Sequence, residues 1–177
     1  IRGGSASTIY GNGAVGGAIN IVPKRAGEKD LTRTSVDYGR GEQAGGDIDF
    51  SRRFGANDEF GVRFNGGYHN GDTYLDRQTR EASLGALALD YEGDRFRASV
   101  DLIDQRENLD APARELRFNS GFAIPDAPDG STNLIQDWEW SDAVDRSGMV
   151  QAEYDLFNNV TVFASFGGGR TELDRLF

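Results

Sequence analysis

Three glycines near the start of the chain, Gly11, Gly13 and Gly16, satisfy the G-x-G-x-x-G spacing that can cradle a pyrophosphate. That chemistry needs a helix opening at the last glycine, with its N-terminus aimed at the phosphates. Pro23 follows soon after Gly16, and the intervening Ala18–Val22 is apolar and rich in β-branched residues, so no helix of useful length fits. The glycines read instead as tight turns and close backbone approach. Other catalytic constellations are equally thin. The chain has no cysteine, which removes disulfides and thiolate metal sites, and a single histidine, His69. Ser5 and Ser7 lack the strand–elbow–helix setting of a nucleophilic serine. Asp126–Gly130 lacks the ligand spacing and closing Glu of a calcium loop. His69 reads as a polar residue facing a lumen or a rim. No catalytic residue, metal site or cofactor is expected, and the chain does not read as an enzyme.

One segment could still bind something. Glu107–Asp145 is long and shows no clear periodicity, and it holds three of the four prolines, Pro112, Pro125 and Pro128. It also holds Phe118, Phe122 and both tryptophans, Trp138 and Trp140. Loops of this length are functional or disordered, and proline with aromatics argues for an ordered cap. Exposed aromatic surface suits a partly apolar ligand. Equally, the tryptophans could pin the loop to its neighbours or sit at a membrane boundary.

The elements that would position this loop are strands. Segments at about 31–39, 44–55, 59–70, 80–92, 94–105, 146–157 and 159–169 are strand-like. Phe60, Val62, Phe64 and Tyr68 share one face against Arg63, Asn65 and His69 on the other. Phe96, Ala98, Val100 and Leu102 oppose Arg97, Ser99 and Asp101, and Val150, Ala152, Tyr154 and Leu156 oppose Gln151, Glu153 and Asp155. A period of two means a sheet with one apolar and one polar face. Lengths near ten residues match a tilted membrane-crossing strand of about 9–11 residues better than a soluble strand of about 5–6. Two features fit less well: Leu84 lies off the parity of Leu87 and Leu89, and Arg52 lies on the apolar parity of Phe50 and Phe54. An arginine there can snorkel toward headgroups.

The connections alternate in length. Ala56–Asp58, Gly93-Asp94 and Asn158-Asn159 are tight turns, whereas Arg40–Gln43, Gly71–Thr79 and Glu107–Asp145 are more variable or longer. Aromatics flank every tight turn: Phe54 and Phe60, Tyr91 and Phe96, Tyr154 and Phe157. Aligned at one rim they would form a girdle of the kind found at a water–hydrocarbon boundary. The net charge of −10 argues against nucleic acid. No apolar run is long enough for a transmembrane helix, which leaves a membrane barrel open because its strands alternate. Alternation by itself also admits a soluble sandwich, whose apolar face points to a core. The chain opens in mid-motif at Ile1, and Thr171–Phe177 stops where a further loop or strand is expected, so it reads as a piece of a longer protein.

The opening string, IRGGSASTIYGNGAVGGAINIVPKR, closely resembles the end of the plug domain of TonB-dependent outer-membrane receptors. Arg2-Gly3 matches that plug's R-G-P motif, with Gly4 in place of the usual Pro. Ser7, Tyr10, Gly11, Gly16, Gly17, Asn20 and Ile21 match the pattern S-x-x-Y-G…G-G-x-x-N-I that follows it. The segment from Phe122 to Ser131 resembles the siderophore-receptor branch. The resemblance implies an all-β fold: about seven strands of a larger antiparallel transmembrane β-barrel over 31–177, preceded by the last part of a plug domain over 1–30. Such barrels have about 22 strands and a plugged lumen. It further implies active uptake of a ferric siderophore across the bacterial outer membrane, energised by a TonB-type partner whose contact segment lies upstream. The plug residues would act structurally, with Arg2 paired to barrel carboxylates. Tyr10, Phe118, Phe122, Trp138 and Trp140 are the expected ligand contacts, the tight turns would be periplasmic, and Glu107–Asp145 extracellular. Iron would be cargo and outer-membrane lipid the surrounding partner. A soluble β-rich carbohydrate-binding or adhesin-like module is the alternative.

Overall fold

The computed structural model describes residues 22–39, 41–114, 120–121 and 126–177. Among these the regular elements are seven strands: β1 (Leu31–Tyr38), β2 (Ala44–Phe54), β3 (Phe60–Asp72), β4 (Thr79–Glu92), β5 (Phe96–Asp110), β6 (Trp140–Phe157) and β7 (Val160–Leu176). They form one sheet in sequence order, every neighbour antiparallel. This is an up-and-down meander, the pattern of a barrel wall, in which each strand pairs with its predecessor and its successor.

Register separates the two faces. On one face Phe54 pairs with Phe60, Phe60 with Tyr91, and Phe96 with Tyr154. The Phe60 and Tyr91 rings stand 5.0 Å apart and those of Tyr91 and Phe96 6.0 Å apart, so the expected girdle exists as a continuous row beside the tight turns. The next rows on the same face align Val62, Leu89, Val100, Val150 and Phe166, then Phe50, Phe64, Leu87 and Leu102. None of these rows is covered: Phe54, Phe64, Leu102, Val150 and Phe166 are all exposed. The buried apolar side chains among the residues described are small, Ala26, Ala88, Ala111 and Pro112. A sandwich would bury such a face against a second sheet. Among the described residues nothing packs on the apolar face, which is the arrangement of a wall facing lipid.

That face turns polar in one step. Asp104, Arg146 and Arg170 are aligned across β5, β6 and β7, directly beyond the row containing Leu102. From Phe96 to Asp104 is about 27 Å along the strand at ~3.4 Å per residue, or ~20 Å along the barrel axis after a 35–45° tilt. This approaches the ~25 Å apolar band of an outer-membrane barrel. The rest of β5, β6 and β7 stands clear of that band.

Several sequence expectations are corrected. The strands grow beyond their expected ends on the long-loop side, so Glu107–Asp110 belongs to β5 and Trp140–Asp145 to β6. The long connection shrinks to 111–139, and Trp140 opens a strand rather than lying in the loop. Gly71 and Asp72 close β3, and Thr79 opens β4. Residues Thr171–Leu176 continue β7 rather than ending before a new element. Leu84 faces the polar side, where it pairs with Gly67 and Gln105, while Leu87 and Leu89 face lipid. Arg52 keeps its lipid-facing parity but folds back to the β1 edge. It donates to the Leu31 carbonyl at 2.7 Å and to Thr32 Oγ1 at 2.8 Å, and pairs with Asp30 at 3.2 Å.

Candidate functional site

The polar face of the sheet carries charges at every level, and near the tight turns it is occupied. The segment preceding β1 lies across it. Arg25 reaches β5, where its guanidinium grips both carboxylate oxygens of Asp101, Nη2 to Oδ2 at 2.7 Å, and donates to Ser99 Oγ at 3.2 Å. Asp101 is only 4% exposed. The hydrogen bond that Arg25 donates to Asp101 holds the guanidinium above its ordinary pKa in spite of partial burial.

Two arginines of the wall answer in the other direction. Arg63 of β3 donates to the Arg25 carbonyl at 2.9 Å while holding Asp49 of β2 in a two-pronged pair at 2.9 and 2.7 Å. Arg53 of β2 donates to the Ala26 carbonyl at 3.2 Å and approaches Asp90 of β4 at 2.9 Å. Asp90 and Arg53 are not aligned for a hydrogen bond, and both Asp90 carboxylate oxygens lack a hydrogen-bond partner among the described residues. The Gly27 N–H donates to Ser51 Oγ at 3.4 Å, and Ser51 is 1% exposed. Toward the turns, Arg97 bridges Glu153 at 3.2 Å and Asp155 at 2.8 Å. Buried ions persist only when paired, and the wall supplies most of the pairs itself, Arg63 with Asp49 and Arg53 with Asp90, whereas Asp101 takes its cation, Arg25, from the segment lying on the face.

At the opposite end the longer connections are tied together. Ala111 is fully buried with φ at +45°, and its carbonyl accepts from Gln78 Nε2 and from Asn133 Nδ2, both at 2.9 Å. Arg77 donates to the carbonyls of Asn133 at 2.6 Å and Ile135 at 3.1 Å, and pairs with Asp137. The Asp76 N–H reaches the Ser131 carbonyl at 2.8 Å. The β3–β4 and β5–β6 connections therefore form one hydrogen-bonded unit. A cleft of about 770 Å³ opens beside it, lined by Gly41, Gln43, Asp72, Tyr74, Arg77 and Ser131.

Of the sequence-predicted contacts, Trp138 lies in this loop unit, 64% exposed and next to Asp137. Trp140 pairs with Asp110 and Leu176 at the start of β6. Arg2, Gly3, Ser7, Tyr10, Gly11, Gly16, Gly17, Asn20, Ile21, Phe118 and Phe122 lie outside the described residues. His69 sits on the polar face between Asp37 at 3.1 Å and Asp47 at 3.7 Å, its ring lying where a side chain on Gly45 would have to go. The three offer ligand atoms within 4.8 Å of one another, a donor set that a divalent cation would accept. An imidazole N–H donated to Asp37 accounts for the same geometry without a metal. The residues that sequence reasoning missed are Arg25, Arg53, Gln78 and Asn133, and for Arg63, whose polar face was expected, it missed the partners. The three arginines had a signal: the acids Asp49, Asp90 and Asp101 share the polar parity of three strands.

No family model matches the chain. A search of curated proteins finds the ferrichrome receptor FcuA of Yersinia enterocolitica, 39% identical over 158 residues, which are 89% of this chain and 21% of that protein. Among solved structures, BauA, the ferric preacinetobactin receptor of Acinetobacter baumannii, superposes with a TM-score of 0.92 at 34% identity. That match covers 98% of this chain and 26% of BauA. The chain carries the barrel fold of the TonB-dependent siderophore receptors of the bacterial outer membrane. PiuA, a siderophore receptor of the same organism, shares the fold at a TM-score of 0.84 and 20% identity, over 98% of this chain and 26% of its own. The chain thus spans between a fifth and about a quarter of the length of these relatives, which are receptors and not enzymes.

Proposed function

We propose that the parent of this chain is a receptor that imports a ferric siderophore across the outer membrane with energy from a TonB-type partner. Residues 1–30 supply the end of its plug, and residues 31–177 the first seven strands of its barrel. The observation that supports this best is the asymmetry of the sheet. Its apolar face is uncovered over a membrane-sized band among the described residues, while its polar face near the tight turns is crossed by the segment that runs into β1. Such a wall encloses an occupied lumen, which a soluble carbohydrate-binding or adhesin-like module has no reason to build.

The loop unit around Ala111 stands on the side opposite the tight turns and is the extracellular cap. Trp138 and Trp140, with Tyr10, Phe118 and Phe122, present the aromatic surface that takes the chelate. The likeness to FcuA makes ferrichrome the first probe, and the likeness to BauA puts ferric preacinetobactin beside it. In cells lacking their own siderophore receptors, the full-length protein is expected to restore uptake of radiolabelled iron from one of these chelates. Trp138→Ala and Trp140→Ala are expected to weaken binding with surface expression unchanged. Full-length protein that stays soluble without detergent and imports neither chelate overturns the reading, and unchanged affinity in both variants removes the tryptophans from the site.

A further inference from the structure

We infer that Asp37, Asp47 and His69 form a binding site for a bare divalent transition cation, of the chemistry of Zn²⁺, on the polar face of the sheet. The site is separate from the chelate contacts proposed above.

Register builds it from two neighbouring rows. Ser35, Asp47 and Gly67 are aligned across β1, β2 and β3 in one row, and Asp37, Gly45 and His69 in the next. Each row contains one glycine, and the space it leaves is used. A side chain on Gly45 would meet His69 Cδ2 at 2.0 Å, so the imidazole lies across β2 toward Asp37. A side chain on Gly67 would meet Asp47 Oδ1 at 2.6 Å, so that carboxylate leans the other way, over β3. Glycine weakens a strand interior and marks places of close approach. These two let a ring and a carboxylate from different rows converge. His69 Nε2 comes to 3.1 Å from Asp37 Oδ1 and 3.7 Å from Asp47 Oδ2.

That geometry suits a hydrogen bond to Asp37 as well as a metal, and the surroundings decide between them. A neutral imidazole carries one proton at Nε2, which serves Asp37 and leaves Asp47 facing the same nitrogen without a cation. Two carboxylates this close repel unless positive charge lies between them. Other acids of this face meet arginine: Asp49 meets Arg63, Asp90 meets Arg53, Asp101 meets Arg25 and Glu153 meets Arg97. Among the described residues Asp37 and Asp47 have only His69 as a basic neighbour within ion-pair reach. One imidazole nitrogen with carboxylate oxygens is a Zn²⁺ donor set, at ~2.0–2.2 Å from the metal, which puts neighbouring ligand atoms about 3–3.6 Å apart. The separations found are close to this, and the half-exposed carboxylates can turn to close the difference. A cavity of about 140 Å³, lined by Asp37, Gln43, His69, Asn70 and Arg80, adjoins the cluster and has room for water at an open coordination position. Arg80 is itself taken up by Glu107 at 2.6 Å. Iron inside a chelate arrives with its coordination filled, so the cation taken here is not the cargo. Bound by all three side chains, it ties β1 to β2 and β3 at the end away from the tight turns.

The test uses the full-length protein, purified in detergent without a histidine tag, stripped with a chelator and titrated with Zn²⁺ alone by calorimetry. Wild type is expected to bind one equivalent that His69→Gln loses or binds about a hundredfold more weakly; the glutamine amide can still donate to Asp37. Asp47→Asn leaves the hydrogen bond to Asp37 untouched and is expected to lose the same equivalent. Titration with Co²⁺ supplies a spectroscopic check, its visible absorption in wild type falling away in both variants. Equal stoichiometry and affinity in wild type and His69→Gln overturns the site. So does wild-type affinity in Asp47→Asn, which would leave a histidine and one acid as an ordinary hydrogen-bonded pair. No chelate enters these titrations, so failure of iron uptake refutes the receptor reading and leaves this site standing, and the converse also holds.

Discussion

The pair between Arg63 and Asp49 can be taken apart quantitatively. Both side chains are about one-sixth exposed, at 16% and 14%, and the guanidinium makes two parallel bonds to the carboxylate. Removing one partner of a fully buried pair costs about 3–5 kcal/mol because the other charge is stranded. The residual exposure and a wet lumen reduce this to about 2–3 kcal/mol for Asp49→Leu, a factor of ~30–150 in the folded-to-unfolded ratio. Arg63→Met loses the bond to the Arg25 carbonyl as well, worth about 1 kcal/mol, but Lys24 lies 3.7 Å from Asp49 and softens the loss. The double variant Arg63→Met/Asp49→Leu strands no charge and is expected to cost only ~1–1.5 kcal/mol, less than either single change. Urea unfolding of the full-length protein in lipid vesicles, followed by tryptophan fluorescence, measures all three. Single variants within about 0.5 kcal/mol of wild type would mean the polar face is too hydrated for pairing to matter. A double variant worse than both singles would mean the pair is worth more than its burial costs.

Other perturbations probe the remaining parts. Val100→Arg, in the middle of the apolar face, is expected to cost about 2–4 kcal/mol, while Gln105→Arg on the polar face of the same strand costs little; urea unfolding in vesicles compares them, and equal costs would reverse the faces. Gly71 has φ at +149°, and a side chain there would lie 2.4 Å from the Gln43 backbone, so Gly71→Ala should destabilise the β2–β3 edge by about 1–3 kcal/mol in the same assay; a cost under ~0.5 kcal/mol would contradict the geometry. Gln78→Leu removes one of two donors on the Ala111 carbonyl, and proteolytic cleavage within 111–139 should quicken about fivefold; an unchanged rate would show that the loops are not coupled through this residue.

Where the sequence was readable follows from where its two faces differ. Between the tight turns and the row of Asp104, Arg146 and Arg170, lipid demands apolar side chains at every second position, and the strands announce themselves as period two. Beyond that row water bathes both faces. Asp104, Gln105, Arg106, Glu107 and Asn108 follow one another in β5, and Ser141, Asp142, Asp145 and Arg146 crowd β6, yet both stretches are strand. Alternation has no physical cause there, so the residues of Glu107–Asp145 nearest the barrel read as loop. Leu84 misled for the converse reason. A lumen lined partly by protein accepts an occasional leucine, and only pairing with Gly67 and Gln105 assigns its side.

The polar face was harder to read because its logic is shared between strands. Asp49, Asp90 and Asp101 lie far apart in sequence and look like ordinary solvated acids one strand at a time. Register places them on one face, and the cations that meet them come from two sources. Arg53 and Arg63 belong to the wall; Lys24 and Arg25 belong to the segment lying on it. An inner surface that carried only its own arginines and acids would be self-neutralised and could be left empty. This one directs wall arginines at the backbone carbonyls of Arg25 and Ala26, while Arg25 supplies the charge that Asp101 needs. The electrostatics of the wall are therefore incomplete without the incoming segment. The same incompleteness distinguishes a wall built against an incoming segment from an open pore lined for water.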